Sequence, residues 1–134
     1  MLSPQAALVY TMVIVAEADH EVADEELKII GDLVGHQPVF DQIDRAEVTA
    51  MAVDCSELIG QPGGLDEALR MINAALSPTL REAAYALGCD VIAVDRRLNR
   101  REIGVLEKVR EQLGIAPAVA DLLEGAARIR FQAA

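Results

Sequence analysis

The chain has 134 residues, a length that suits a single domain with one hydrophobic core. Aliphatic side chains must fill that core, because 52% of the residues are hydrophobic but only 3% are aromatic and none is Trp. A net charge of −10 disfavours nucleic acid and anionic membrane surfaces as partners.

The negative charge is concentrated in the first half of the chain. Residues 1–60 hold twelve acidic side chains against Lys28 and Arg45, whereas residues 61–134 hold ten of each sign. We therefore expect residues 1–60 to form an acidic face suited to cations or to a basic protein partner. The sequence has one basic cluster, without the interleaved aromatic residues of a nucleic-acid groove. Its members are Arg96, Arg97, Arg100 and Arg101.

Two central helices are predicted from a repeated start signal. Ser3-Pro4 and Ser77-Pro78 each place an N-cap serine before a proline, and each precedes a long apolar run. These patterns predict helices over residues 4–18 and 80–94, buried on most sides.

The other helices are predicted from caps and breaks. Asn99 and Asp44 open capping boxes with hydrophobic staples, and Ala23 stands at the equivalent place before residue 24. Gly35 and Gly114 are predicted C-terminal stops, and the glycine-rich segment 61–64 separates the two halves. The remaining predicted helices cover residues 23–35, 44–59, 66–76, 99–114 and 118–131. With no confident strand, the sequence predicts an all-α fold of about seven helices.

An internal repeat organises these helices. Residues 19–27 recur 76 positions later as residues 95–103. In each copy an apolar helix ends at an aspartate, a short turn follows, and a glutamate lies in the first turn of the next helix. We therefore predict one domain over residues 1–134 with a pseudo-two-fold, duplicated helix-turn-helix core. Its repeat units are residues 4–35 and 78–114.

Four repeated acids form the candidate site: Asp19, Glu26, Asp95 and Glu102. Hard divalent cations such as Mg²⁺, Ca²⁺ or Mn²⁺ take carboxylate oxygens from several chain segments, so these acids are candidate metal ligands. The alternative for the glutamates is helix capping, since Glu102 completes a box with Asn99. An aspartate at a helix C-terminus meets the negative end of the dipole, which either a cation or turn N–H groups would offset. Both interpretations remain open.

No catalytic arrangement accompanies these acids. The sequence contains no Ser-His-Asp order, Cys-His pair or glycine-rich phosphate loop, so we predict a protein that is not an enzyme. His20 and His36 could ligate a softer metal, although an isolated histidine beside a turn is more often simply exposed. Cys55 and Cys89 lie within apolar helical pattern without a CxxC spacing, and we expect both to be buried and reduced.

The expected location is the cytoplasm. Ser3-Pro4 and Glu17 interrupt the N-terminal apolar run, so no signal peptide is evident. The apolar stretch of residues 6–16 is shorter than the ~20 residues that a bilayer-spanning helix requires. We therefore predict no membrane insertion.

The doubled pattern of aspartate, turn, aliphatic residue and glutamate resembles that of the tellurite-resistance TerB-like family. The pattern is carried by residues 19–26 and 95–102, and the resemblance covers residues 4–132. It implies an all-α domain of seven or eight helices with pseudo-two-fold symmetry, linked to tellurite resistance and stress response, with a proposed metal-binding role for its acids. The family commonly has glycine after the aspartate, where this chain has His20 and Arg96. A residue with a side chain makes a left-handed turn harder there and could alter the site.

Two functions are therefore carried forward. The first is a non-enzymatic stress-response domain that binds a divalent cation through the repeated acids. The second is an acidic interaction module that binds no metal, in which the repeated glutamates serve only as helix caps.

Overall fold

A computed structural model describes the backbone of residues 1–17, 24–95 and 100–132, and the side chains of residues 1–17, 27–94 and 103–132. Over these residues the chain forms seven α-helices and no strand, which confirms the predicted all-α class. The helices are α1 (Pro4–Ala16), α2 (Asp24–Val34), α3 (Arg45–Ile59), α4 (Gly64–Ala75), α5 (Pro78–Asp95), α6 (Arg100–Leu113) and α7 (Pro117–Arg130). No helix in this part of the chain combines the length and apolarity needed to cross a bilayer.

The first helix forms the centre of the molecule. All of its residues from Ala6 to Ala16 are buried, because α2, α3, α4, α5 and α6 all pack against it. Its start follows the predicted cap, since Ser3 Oγ accepts a hydrogen bond from the Ala6 N–H at 3.1 Å. The buried Thr11 hydroxyl donates to the Ala7 carbonyl at 2.9 Å, so this polar group costs little in the core.

The fifth helix is the second central element, and it packs against α1, α2, α6 and α7. It approaches α1 closely at Gly88, where an added Cβ would lie 3.3 Å from the Val15 side chain. Ser77 caps α5 as predicted, because its Oγ accepts from the Leu80 N–H at 3.3 Å.

The connection between α3 and α4 depends on two glycines with different tasks. Gly63 has a φ of 73°, which favours glycine. Gly64 starts α4 so close to α3 that an added Cβ would lie 1.8 Å from the Leu58 carbonyl oxygen. The helix therefore begins at Gly64, two residues before the predicted start at Asp66.

The predicted glycine stops differ in mechanism. Gly114 has a φ of 67°, and the Ile115 N–H donates to the Arg110 carbonyl at 3.1 Å, as in a Schellman motif. Gly35 follows the last residue of α2, but it is not among the described glycines with positive φ. A 3-10 turn over Pro38–Phe40, which we did not predict, then leads toward α3.

Each predicted repeat unit contains a central helix followed by a second helix, α1 and α2 in the first unit and α5 and α6 in the second. Glu26 lies in α2 and Glu102 lies in α6. Each central helix contacts both of these helices, because α1 packs on α2 and α6 while α5 packs on α6 and α2. Superposition of the two units stays a prediction, as does the single-domain assignment.

Candidate functional site

The structure locates the backbone of three of the four predicted metal ligands. Glu26 and Glu102 are the third residues of α2 and α6, and Asp95 is the last residue of α5. Their side chains lie outside the described residues, and so does Asp19 entirely, together with His20 and Arg96. The predicted metal site therefore stays a prediction.

The described side chains contain no second candidate metal centre. Within residues 1–17, 27–94 and 103–132, no three His, Cys, Asp or Glu side chains lie close enough together to hold an ion. The four predicted ligands are not part of this set, so the finding does not bear on them.

A third glutamate occupies the same helical position without belonging to the repeat. Glu47 is the third residue of α3, and its N–H donates to the Asp44 carboxylate at 2.8 Å. This contact confirms Asp44 as the predicted N-cap. A glutamate at the third position of a helix can therefore occur at a capped helix start that lies outside the repeat.

Polar groups at the end of α1 connect it to α3. Ser56 donates a hydrogen bond to Glu17, the residue that follows α1. Burial raises the pKa of the Glu17 carboxyl, and the hydrogen bond from Ser56 opposes this shift. Next to them, the Cys55 thiol donates to the Tyr10 carbonyl, with 3.7 Å between sulfur and oxygen.

Both cysteines are buried and free, which confirms the predicted burial. Burial, reinforced by the charge of Glu17, raises the pKa of the Cys55 thiol. Burial also raises the pKa of Cys89 to about 12, with smaller contributions from Glu124 and Asp90. Because the thiolate is the reactive form, both side chains are inert thiols near neutral pH.

A buried acid on α5 was missed by sequence analysis. Asp90 is 3% exposed and forms an ion pair with Arg130 at the end of α7. Nearer the starts of the same two helices, the Tyr85 hydroxyl donates to Glu124 at 2.8 Å. These two polar contacts fix α7 against α5. The available signal was a charged residue within the apolar run of a central helix.

A cavity of about 570 Å³ lies between α5, α6 and α7. Its walls are mainly apolar, while four charged side chains contribute two charges of each sign. The apolar part includes Cys89, Ile92, Ala93, Ile103, Leu106, Ala127 and Phe131, and the charged part consists of Glu107, Arg110, Glu124 and Arg128. Its volume falls within the range of small-molecule sites, but its charges balance and indicate no particular ligand.

The acids of α3 and of the segment before it are solvent-exposed. His36 is exposed as well, and Arg45 pairs with Asp32 across 2.7 Å. The exposed acids among the described residues of the first half are Asp32, Asp41, Asp44, Glu47, Asp54 and Glu57. These six acids, which we call the acidic face, outnumber the exposed basic residues Lys28 and Arg45 in this half of the chain.

Comparison with known families gives one result. The family model described as tellurite resistance protein TerB matches residues 5–124, from the first turn of α1 to the middle of α7. No curated protein and no solved structure matches the chain.

Proposed function

The chain belongs to the tellurite resistance protein TerB family, and we propose that it is a non-enzymatic stress-response domain that binds a divalent cation. The family match over nearly the whole chain is the observation that carries the association with tellurite resistance. The proposed ligands are Asp19, Glu26, Asp95 and Glu102.

The placement of the repeated acids supports a metal role. Glu26 and Glu102 occupy the same position in α2 and α6, and these two helices contact the same pair of central helices. Four carboxylates supply hard oxygen donors, which suit Mg²⁺, Ca²⁺ or Mn²⁺ rather than a soft metal. When bound, such a cation would offset the unfavourable placement of an aspartate at the end of α5.

The proposed location is the cytoplasm. Cys55 and Cys89 are free thiols, a state that is typical of a reducing compartment.

Thermal unfolding distinguishes a metal ligand from a helix cap. A cation at ~100 times its Kd should stabilise the protein by about 2.7 kcal/mol relative to a sample in EDTA. Gln keeps the hydrogen-bonding capacity of a capping box but lacks the charge that a hard cation needs. Glu26→Gln and Glu102→Gln should therefore each remove most of the metal-dependent rise in Tm.

The matched control is Glu47→Gln, because Glu47 holds the same helical position in α3 outside the repeat. It should leave the metal-dependent shift unchanged. A metal shift that survives Gln at both Glu26 and Glu102 would refute these glutamates as ligands.

The exposure of six acids on the acidic face favours a second candidate function. In that case the chain is an interaction module that binds a basic protein, and the repeated glutamates serve only as helix caps. A lysine-rich peptide should then bind more weakly as salt rises. Asp54→Lys with Glu57→Lys should weaken it further, and salt-independent binding would contradict this function.

A further inference from the structure

The outward side of α7 is apolar although it is exposed. Leu122 is 72% exposed and Ile129 is 68% exposed, and Ala118 and Ala126 are exposed as well. The opposite side of the helix is buried through Ala120 and Ala127. At roughly 100° per residue, Ala118, Leu122, Gly125 and Ile129 fall on one stripe about 60° wide. We call these four residues the α7 stripe.

The α7 stripe alternates small and large side chains. Its spacing of four, three and four residues is that of the a and d positions in a coiled-coil heptad. If two copies of α7 pack antiparallel, Leu122 lies over Gly125 of the second copy, and Ile129 lies over its Ala118. Each large side chain then meets a small one, which lets the two helices approach closely.

The charged residues beside the α7 stripe also suit an antiparallel pair of α7 helices, because one is acidic and the other is basic. Asp121 and Arg128 are both exposed and lie on the same flank of the stripe, seven residues apart. In the part of the chain that the structure describes, neither forms an ion pair. The Arg128 guanidinium extends back along the helix to 3.8 Å from the position of a Cβ on Gly125.

Antiparallel pairing brings equivalent flanks of two helices together. Asp121 of each copy then lies opposite Arg128 of the other, so one two-fold axis generates two ion pairs. A parallel pair would instead place this flank against the opposite flank of the other helix, where Val119 and Ala126 offer no charge.

We propose that the α7 stripe is the interface of a symmetric, antiparallel dimer of this chain. The occupant is a second copy of this chain. A two-fold rotation places each large apolar residue of the stripe against a small one of the second copy, and each Asp121 opposite an Arg128. One helix from each copy gives an interface at or below the small end of the usual range of about 1,200–2,000 Å². The dimer should therefore be weak, with a Kd on the order of 0.1 mM.

Sedimentation equilibrium of the full chain, from about 10 μM to 1 mM, tests this proposal. The wild-type protein should pass from monomer to dimer across that range. Leu122→Gln should raise Kd by about tenfold or more. Val53→Gln is the matched control, because Val53 is an exposed apolar residue on α3, and it should leave Kd unchanged.

Charge reversal tests the orientation of the helices. Asp121→Arg and Arg128→Asp should each weaken the homodimer, because each turns both ion pairs into repulsive contacts. The double variant should recover dimerisation, and so should a mixture of the two single variants. Circular dichroism confirms that each variant is folded, so that loss of the dimer is not loss of the fold.

Three outcomes would overturn the proposal. The first is a wild-type chain that stays monomeric at 1 mM, which would leave the stripe to a different partner. The second is a dimer that is unaffected by Leu122→Gln, which would place its interface elsewhere. The third is a pair of single reversals that fail to rescue each other, which would exclude the antiparallel arrangement.

Discussion

Removing Arg130 should destabilise the protein by an amount that depends on pH. The Asp90 side chain is 5% exposed, whereas the Arg130 side chain is 52% exposed. Breaking a fully buried pair costs about 3–5 kcal/mol, and an exposed pair contributes only about 0–1 kcal/mol. Because half of the Arg130 side chain is already solvated, we expect Arg130→Met to cost about 2 kcal/mol at pH 7.

The sign of the pH dependence follows from the state of Asp90. Burial raises the pKa of its carboxyl above the ordinary 3.8, and Arg130 opposes the shift. Without Arg130 the folded-state pKa rises further, so protonation stabilises the folded variant relative to the unfolded chain. The penalty is complete above the raised folded-state pKa. It should shrink as pH falls through that value toward 3.8.

Thermal unfolding followed by circular dichroism at pH 7 and pH 4.5 measures this effect. At about 4 °C per kcal/mol for a chain of this length, Tm should fall by about 8 °C at pH 7 and by clearly less at pH 4.5. Asp90→Asn should restore part of the loss in the Arg130→Met background. Arg45→Met is the control, since it breaks an exposed pair with Asp32 and should cost less than about 1 kcal/mol. Equal losses in the two arginine variants, or a loss independent of pH, would refute the reasoning.

Two further predictions concern glycine packing and the thiols. Gly64→Ala should lower the free energy of unfolding by about 1–3 kcal/mol in urea, because the alanine Cβ would overlap the Leu58 carbonyl. A Cβ on Gly104 in α6 would meet no other atom, so Gly104→Ala should instead raise the free energy of unfolding by about 0.5–1 kcal/mol. An equal effect at both glycines would contradict the close approach of Gly64 to Leu58. Cys55 and Cys89 should react with a thiol reagent only as fast as the protein opens, so rapid labelling of both in the native state would count against their burial.

Helix starts could be predicted from the sequence because capping is local. Ser3, Asp44 and Ser77 each accept a hydrogen bond from an N–H three residues later, and each was identified from the chain alone. The predicted start of α4 is two residues too late. Gly64 belongs to the helix at a point where α4 lies so close to α3 that a side chain would not fit. That approach is a tertiary contact, which capping and periodicity do not encode.

Features that depend on distant residues were not predicted. The ion pair of Asp90 involves Arg130, which is 40 positions away. The cavity between α5, α6 and α7 likewise exists only after three helices have packed. The acids of the candidate site were found through the repeat, which needs no tertiary information, and their coordination stays a prediction.

The central claim is that the repeated acids bind a divalent cation, and counting bound Mn²⁺ tests it most directly. Free Mn²⁺ gives a strong paramagnetic resonance signal that weakens on binding, so a titration yields both stoichiometry and affinity. We predict saturable binding to the wild-type chain that is lost in a variant combining Asp19→Asn, Glu26→Gln, Asp95→Asn and Glu102→Gln. Wild-type and variant chains that bind Mn²⁺ equally, or a wild-type chain that binds none, would contradict the metal function.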